Sequence, residues 1–337
     1  MRPYDLTTEQ LRTPLGVDEL RPRLSWKLLS DRRGAAQSAC RITAATRESD
    51  LDDPGRLLWD TGRRESADGL LVSWDGPALH PGTRYHWRVE VWDETGAYAA
   101  AAQTWFETGL LHPAAWTAVW IGRDPVHLPP FLPPTDESLT VPSVSRSPLY
   151  LRTEFTLPGA PVRARLYATA HGIYEPRVNG VRAGDRQLAP GWTEYHRRLQ
   201  YQTYDVTALL HTGPNALGVI VADGWWSGCV GFDALRPARH YGDVPAVLAQ
   251  LAVDFDDGSQ RVVVTGPDWT EHDGAIRAAD LLMGEFVDAR RDVAGWDAPG
   301  ATGTFRPVAV LSTEPGPLVA EPDEPVRVTA ERLCCIG

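Results

Sequence analysis

The sequence predicts an all-β protein built as two tandem β-sandwich domains. The first is fibronectin III/Ig-like and the second is a larger, jelly-roll-like sandwich. Three observations predict this. Apolar residues recur with a period of two in one segment after another, the signature of strands buried on one face. Turn signals such as Pro81-Gly82, Asn179-Gly180 and Asp257-Gly258 punctuate those segments. Helical periodicity is confined to a single short turn at Val206 to Leu210.

Residues 1–115 form the first expected domain. In YHWRVEVWD, Tyr85, Trp87, Val89 and Val91 fall on one face and His86, Arg88 and Glu90 on the other. QSACRITAAT and QTWFETG supply further strands, and Trp59, Trp74 and Trp87 are the expected core. Residues 116–148 are expected to be a linker or long loop. The stretch 123–148 holds seven prolines, each without an amide donor for a sheet ladder, and almost no periodicity. Residues 149–312 form the second sandwich. There Asn179-Gly180 reads as a type I′ hairpin turn, and Val247, Ala249, Leu251, Val253 and Phe255 alternate before Asp257-Gly258 turns the chain back. Residues 313–337 read as a tail that completes no element.

Composition narrows the function. The chain has 337 residues, 43% hydrophobic and 23% charged, enough for two or three cores. A net charge of −11 repels a nucleic-acid backbone or an anionic membrane surface, so no nucleic-acid or membrane partner is expected. Cys40, Cys229, Cys334 and Cys335 show neither metal-ligand spacing nor a disulfide framework, and the N-terminus has no apolar signal region. A reduced, cytoplasmic setting is the expectation. There is no GxSxG, Walker A, GxGxxG or HExxH motif, which argues against serine hydrolases, nucleotide enzymes and zinc hydrolases.

The informative region is Tyr174 to Arg290, where aromatic residues cluster around turns. Thirteen Trp and ten Tyr stand against two Met. Rings that stack on C–H surfaces, with carboxylates and amides that bind hydroxyls, are how a rigid β-scaffold grips a sugar. The candidate carbohydrate-binding residues are Glu175, Trp192, Tyr195, Asp223, Trp225 and Trp226. Trp192 and Tyr195 follow the Pro190 turn, as a ring platform or as an aromatic plug closing the sandwich. Asp223 ends a buried strand, as a hydroxyl or calcium ligand or as a loop cap. Trp225 and Trp226 cannot both face inward on one strand, so one is exposed or lies in a loop. Glu175 sits on a hairpin arm, where a solvated strand face is the default. Glu285 is expected to pair with Arg290 or Arg291. The RDVAGWD run at Arg291 to Asp297 is read as structural.

These blocks carry a resemblance. TPLGVDELRPRLSWKL, LLWDTGR and PGTRYHWRVEVWDETG resemble the fibronectin-like first domain of bacterial α-L-rhamnosidases of glycoside hydrolase family 78. VNGVRAGDRQLAPGWTEYHRRLQYQTYDVT, DGWWSG, YGDVPAVLAQL and GEFVDARRDVAGWD resemble the β-sandwich that follows it. The second sandwich is thereby a carbohydrate-binding-type module, calcium-dependent in some relatives, and Asp223 is its nearest candidate calcium ligand. The resemblance implies an (α/α)6 catalytic barrel beyond these domains, absent from this sequence. It also implies inverting hydrolysis of terminal α-L-rhamnose by the whole protein and rhamnose-containing glycans or glycosides as partners. Three readings follow: a non-catalytic region that supports such a barrel or binds rhamnoside, a standalone calcium-dependent binding module, or purely structural interaction domains. None of them assigns a catalytic residue to this chain.

Overall fold

The computed structural model describes residues 1–127, 146–231, 238–313 and 317–329. Most of the expected proline-rich linker, and Cys334 and Cys335, lie outside the described residues. The chain divides into two compact units, Met1–Ala115 with Ala320–Glu324 and Trp116–Val319 with Pro325–Gly337. Each consists of β-sheets with short turns of helix.

The first unit holds β1 (Arg2–Thr8), β2 (Arg23–Leu29), β3 (Gln37–Ala45), β4 (Trp59–Asp60), β5 (Arg64–Glu65), β6 (Val72–Ser73), β7 (Arg84–Asp93) and β8 (Tyr98–Glu107). One sheet runs β1-β2-β6 and the other β4-β3-β7-β8, with β5 also on β3. The alternation in β7 is realised in full. Tyr85, Trp87, Val89 and Val91 are completely buried, and the residues between them are half-buried. Trp74 packs against Trp59 at 4.4 Å between ring centres and edge-on against Phe106 at 5.9 Å. Each such ring removes roughly 200 Å² from water, a gross gain of about 5 kcal/mol at ~25 cal/mol per Å². The buried polar groups are met: Trp26 Nε1 donates to Gln37 Oε1 at 2.9 Å, and His80 N donates to the Tyr85 hydroxyl at 2.8 Å.

The second unit continues with β9 (Ile121–Gly122), β10 (Leu149–Leu157), β11 (Arg163–His171), β12 (Ile173–Val178), β13 (Val181–Arg182), β14 (Leu199–Asp205), β15 (Gly213–Ala222), β16 (Ala246–Asp254), β17 (Gln260–Val264), β18 (Thr270–Asp273), β19 (Ile276–Asp280), β20 (Gly284–Val287), β21 (Arg306–Pro307), β22 (Ala309–Val310) and β23 (Leu318–Ala320). One sheet runs β13-β12-β15-β10-β18-β21. The other runs β22-β9-β16-β11-β14-β23, with β17 also on β16, and β19-β20 stands as a separate hairpin. Leu151, Leu217 and Val219 of the first sheet close a core with Leu166, Leu251 and Val253 of the second. The Asn179-Gly180 turn has positive φ at both residues (50° and 84°), as a type I′ turn requires, and joins β12 to β13 in the register Val178↔Val181.

Three features depart from the sequence reading. Residues 116–122 are not linker: β9 pairs with β16, and Trp116 and Trp120 pack on the second sheet. Their apolar surface outweighs the prolines that follow. The expected tail supplies β23. Arg290 and Arg291 pair with Asp288 rather than Glu285. The RDVAGWD run is structural as expected. Trp296 is buried edge-on against Tyr150, and buried Asp297 pairs with Arg177.

Candidate functional site

The outer face of the seven-stranded sheet is the unusual surface. In β11 and β16 the residues that alternate away from the core are also buried: Tyr167, Thr169 and His171 in β11, Leu248 and Gln250 in β16. They lie under a second, aromatic cluster of Trp120, Tyr195 and Leu199, with Trp116, Trp225, Trp226 and Tyr241 packed around it. A strand covered on both faces loses its polar alternation, as β16 does.

The turn after β15 delivers the two tryptophans. Gly224 has φ 51°, and a Cβ there would lie 2.7 Å from the Ile173 amide nitrogen, so only glycine fits. The following single helical turn, α1 (Gly224–Ser227), directs both indoles to the sheet, where each is half-buried. Trp226 stacks on His171 at 3.8 Å and 4°, and Trp120 covers the other face of that imidazole at 4.2 Å and 16°. Burial between the two indoles drives the His171 pKa down to about 3, with nearby His196 adding to the effect, so the ring is neutral near pH 7. Tyr195 meets Trp226 edge-on at 5.7 Å and donates its hydroxyl to the Gly191 carbonyl at 2.8 Å. Burial also pushes the Tyr195 phenol up.

Trp192 is different. It is 55% exposed, lies nearly parallel to Trp225 (12°, centres 6.0 Å apart), and donates Nε1 to the Tyr241 hydroxyl at 3.1 Å. The six candidates therefore separate. Trp226 and Tyr195 belong to the plug, whereas Trp192 with Trp225 beneath it forms an exposed aromatic platform. Glu175 is on β12 in the other sheet, held by Arg177 at 2.8 Å and Arg182 at 3.4 Å.

Asp223 is buried at the start of α1. Its Oδ1 accepts from Ser227 Oγ at 2.6 Å and its Oδ2 from the Arg146 amide at 3.3 Å. Burial raises its pKa, against the pull of those two donors and of the Arg146 charge. The surroundings do not suit calcium, which needs six to eight oxygen ligands. Asp223 meets two hydrogen-bond donors near the Arg146 charge, and among the described residues there is no group of three or more His, Cys, Asp or Glu that could hold a metal. Asp223 also borders a cavity of about 220 Å³, together with Arg123, Arg146, Ser147, Asp273 and Arg277. Asp273, the other carboxylate there, is paired with Arg123 at 2.6 Å and Arg306 at 3.3 Å. Both carboxylates at this cavity thus have hydrogen-bond or ion-pair partners.

Sequence reading missed Trp120, His171, Tyr241 and the arginines of the cavity. His171 ends β11 on its outer face, and Trp120 immediately precedes β9. The arginines come together from three distant segments, and no spacing reveals that.

The chain is thus built of two β-sandwich units, the second carrying an aromatic outer face. The Alpha-L-rhamnosidase N-terminal domain family matches residues 159–330, and the Rha78A-like, N-terminal immunoglobulin domain family matches residues 3–112. The chain belongs to the α-L-rhamnosidase N-terminal domain family. It is 31% identical to an α-L-rhamnosidase of Streptomyces avermitilis over 96% of this chain and 46% of that protein. It is 36% identical to one of Alteromonas sp. (strain LOR) over 85% of this chain and 30% of that protein. The crystal structure of Streptomyces avermitilis α-L-rhamnosidase complexed with L-rhamnose superposes with a TM-score of 0.88 at 29% identity, over 98% of this chain and 47% of that one. The chain thus spans less than half the length of these relatives. The Streptomyces alignment runs over 482 residues, longer than the whole 337-residue chain, so that relative carries extra segments within the matched region.

Proposed function

We propose that this chain is the non-catalytic β-sandwich region of an α-L-rhamnosidase, and that its second unit binds rhamnosyl groups on the Trp192 platform. The observation that carries the reading is the exposed Trp192 ring, backed by Trp225 and oriented by Tyr241. An aromatic ring fixed on a rigid scaffold gives the C–H face of a deoxy sugar a preformed surface with little entropy left to lose. The test is titration of L-rhamnose followed by tryptophan fluorescence. Saturable quenching in the native chain that is lost in Trp192→Ala supports the reading, and an unchanged response in that variant contradicts it. Chelation with EDTA is expected to leave binding unaltered, since Asp223 meets hydrogen-bond donors rather than an oxygen cage.

A second role rests on the β19-β20 hairpin. Leu282, Phe286 and Val287 are exposed there, with Phe286 at 61%, and an isolated two-stranded hairpin is marginal by itself. Its exposed apolar residues fit contact with the remainder of a longer rhamnosidase, so the region braces the hydrolytic part as well as binding sugar.

A further inference from the structure

The cavity beside Asp223 has a charge character opposite to that of the chain. The protein carries a net charge of −11, yet three arginines and two aspartates line this space. Arg123 is neutralised by Glu271 and Asp273, at 2.8 and 2.6 Å. Arg146 donates to the Asp243 carbonyl, and Arg277 only grazes the Gly274 carbonyl at 3.5 Å. Neither has a carboxylate within ion-pair distance among the described residues. Asp273 is already shared between two guanidiniums, and burial works against ionisation of Asp223. The cavity therefore holds two guanidiniums, Arg146 and Arg277, that no carboxylate salt-bridges among the described residues.

Its shape completes the picture. Leu149, Val221 and Pro245 supply an apolar wall, while Asp223 and Ser147 supply oxygens. Ser147 Oγ donates to the Arg277 carbonyl at 3.0 Å, which leaves its lone pairs to accept from a hydroxyl. At about 220 Å³ the space is below the ~300–1,000 Å³ typical of drug-sized ligands, so it suits one ring and not an oligosaccharide.

We propose that this cavity binds a single acidic sugar residue, with Arg146 and Arg277 holding its carboxylate or sulfate and Asp223 and Ser147 its hydroxyls. The class of ligand rests on the saccharide reading above, while the site is separate from the Trp192 platform. An acidic residue next to rhamnose in one glycan would then be read by the same module.

The experiment is calorimetric titration of the 337-residue chain with D-glucuronate, glucose 6-sulfate, glucose and inorganic sulfate at low salt. One or both acidic sugars are expected to bind at least about tenfold more tightly than glucose, weakening as salt rises. Whichever binds identifies the carboxylate or the sulfate as the group held. Arg146→Gln and Arg277→Gln are each expected to weaken that binding about tenfold or more, because a guanidinium fork is lost. Arg277 is half-exposed, and an unchanged unfolding midpoint for its variant shows that the fold is intact. Equal binding of glucose, no binding of either acidic sugar, native affinity in both arginine variants, or inorganic sulfate binding as tightly as the sugars would each overturn the proposal. Trp192→Ala is expected to abolish the rhamnose response and spare the acidic sugar, so failure of one reading is distinguishable from failure of the other.

Discussion

Replacing Trp226 and Trp192 by alanine, one at a time, separates plug from platform. Trp226 is half-buried, stacked on His171 at 3.8 Å and met edge-on by Tyr195 at 5.7 Å. Full burial of a Trp makes its truncation cost about 3–5 kcal/mol, and partial exposure reduces that here to roughly 2–3 kcal/mol. In a unit of this size each kcal/mol moves the midpoint about 2–4 °C, so Trp226→Ala is expected to lower Tm by roughly 5–10 °C. The variant also opens one face of His171, whose pKa of about 3 comes chiefly from burial. The pKa should climb back toward 6.5, observable by NMR titration of the imidazole. Trp192, more than half exposed, should cost less than about 1 kcal/mol on truncation while losing the rhamnose response. Thermal unfolding by near-ultraviolet circular dichroism reads the first pair of effects. A Trp226→Ala protein that keeps the native Tm and a His171 that still fails to titrate above pH 4 would refute the stacking argument.

Further outcomes follow from the same contacts. His171 has a folded pKa near 3 against 6.5 unfolded, so its contribution is whole above pH 6.5 and is lost as pH falls toward 3. At pH 5 the loss is about 2 kcal/mol, and denaturation at pH 7 and 5 should show it in the native chain and not in His171→Phe. Asp223 acts with the opposite sign, its raised pKa costing stability as pH rises above 3.8. Arg123→Ala leaves buried Glu271 with Arg306 as its ion-pair partner and should cost about 3 kcal/mol in urea denaturation. Asn179→Ala removes side-chain bonds to Leu209, Asn215 and Ala216, each at 2.8 Å, and puts alanine at φ 50°. About 2–3 kcal/mol is expected, with Asn179→Gly sparing only the backbone part.

Much of the fold was legible because a half-buried strand writes its period into the sequence. β7 and the Asn179-Gly180 turn are legible for that reason, as are the tryptophans of the first core. The reading failed where a strand is covered on both faces. The outer residues of β11 and β16 look like ordinary alternation or plain hydrophobicity until Trp120 and Trp226 are seen above them. It failed again at Trp116–Gly122, where proline content hid a strand that pairs with β16. Of the aromatic cluster, Trp192, Tyr195, Trp225 and Trp226 were singled out and Trp120 and Tyr241 were not, and the division into plug and platform was not legible, since exposure depends on neighbours far away in the chain. Glu175 is paired with Arg177 on its own strand and with Arg182 across the turn, a pairing its sequence context alone does not reveal. The arginine-lined cavity joins Arg123, Arg146 and Arg277, residues no local pattern connects.

The central claim is that these two units handle a rhamnoside without cleaving it. The most direct measurement is release of nitrophenol from nitrophenyl-α-L-rhamnoside by the purified 337-residue chain, run beside rhamnose binding on the same sample. Binding with no turnover above the uncatalysed background is the expected result. Sustained turnover that vanishes in Asp223→Asn or Asp273→Asn would place hydrolytic carboxylates in the cavity and contradict the account.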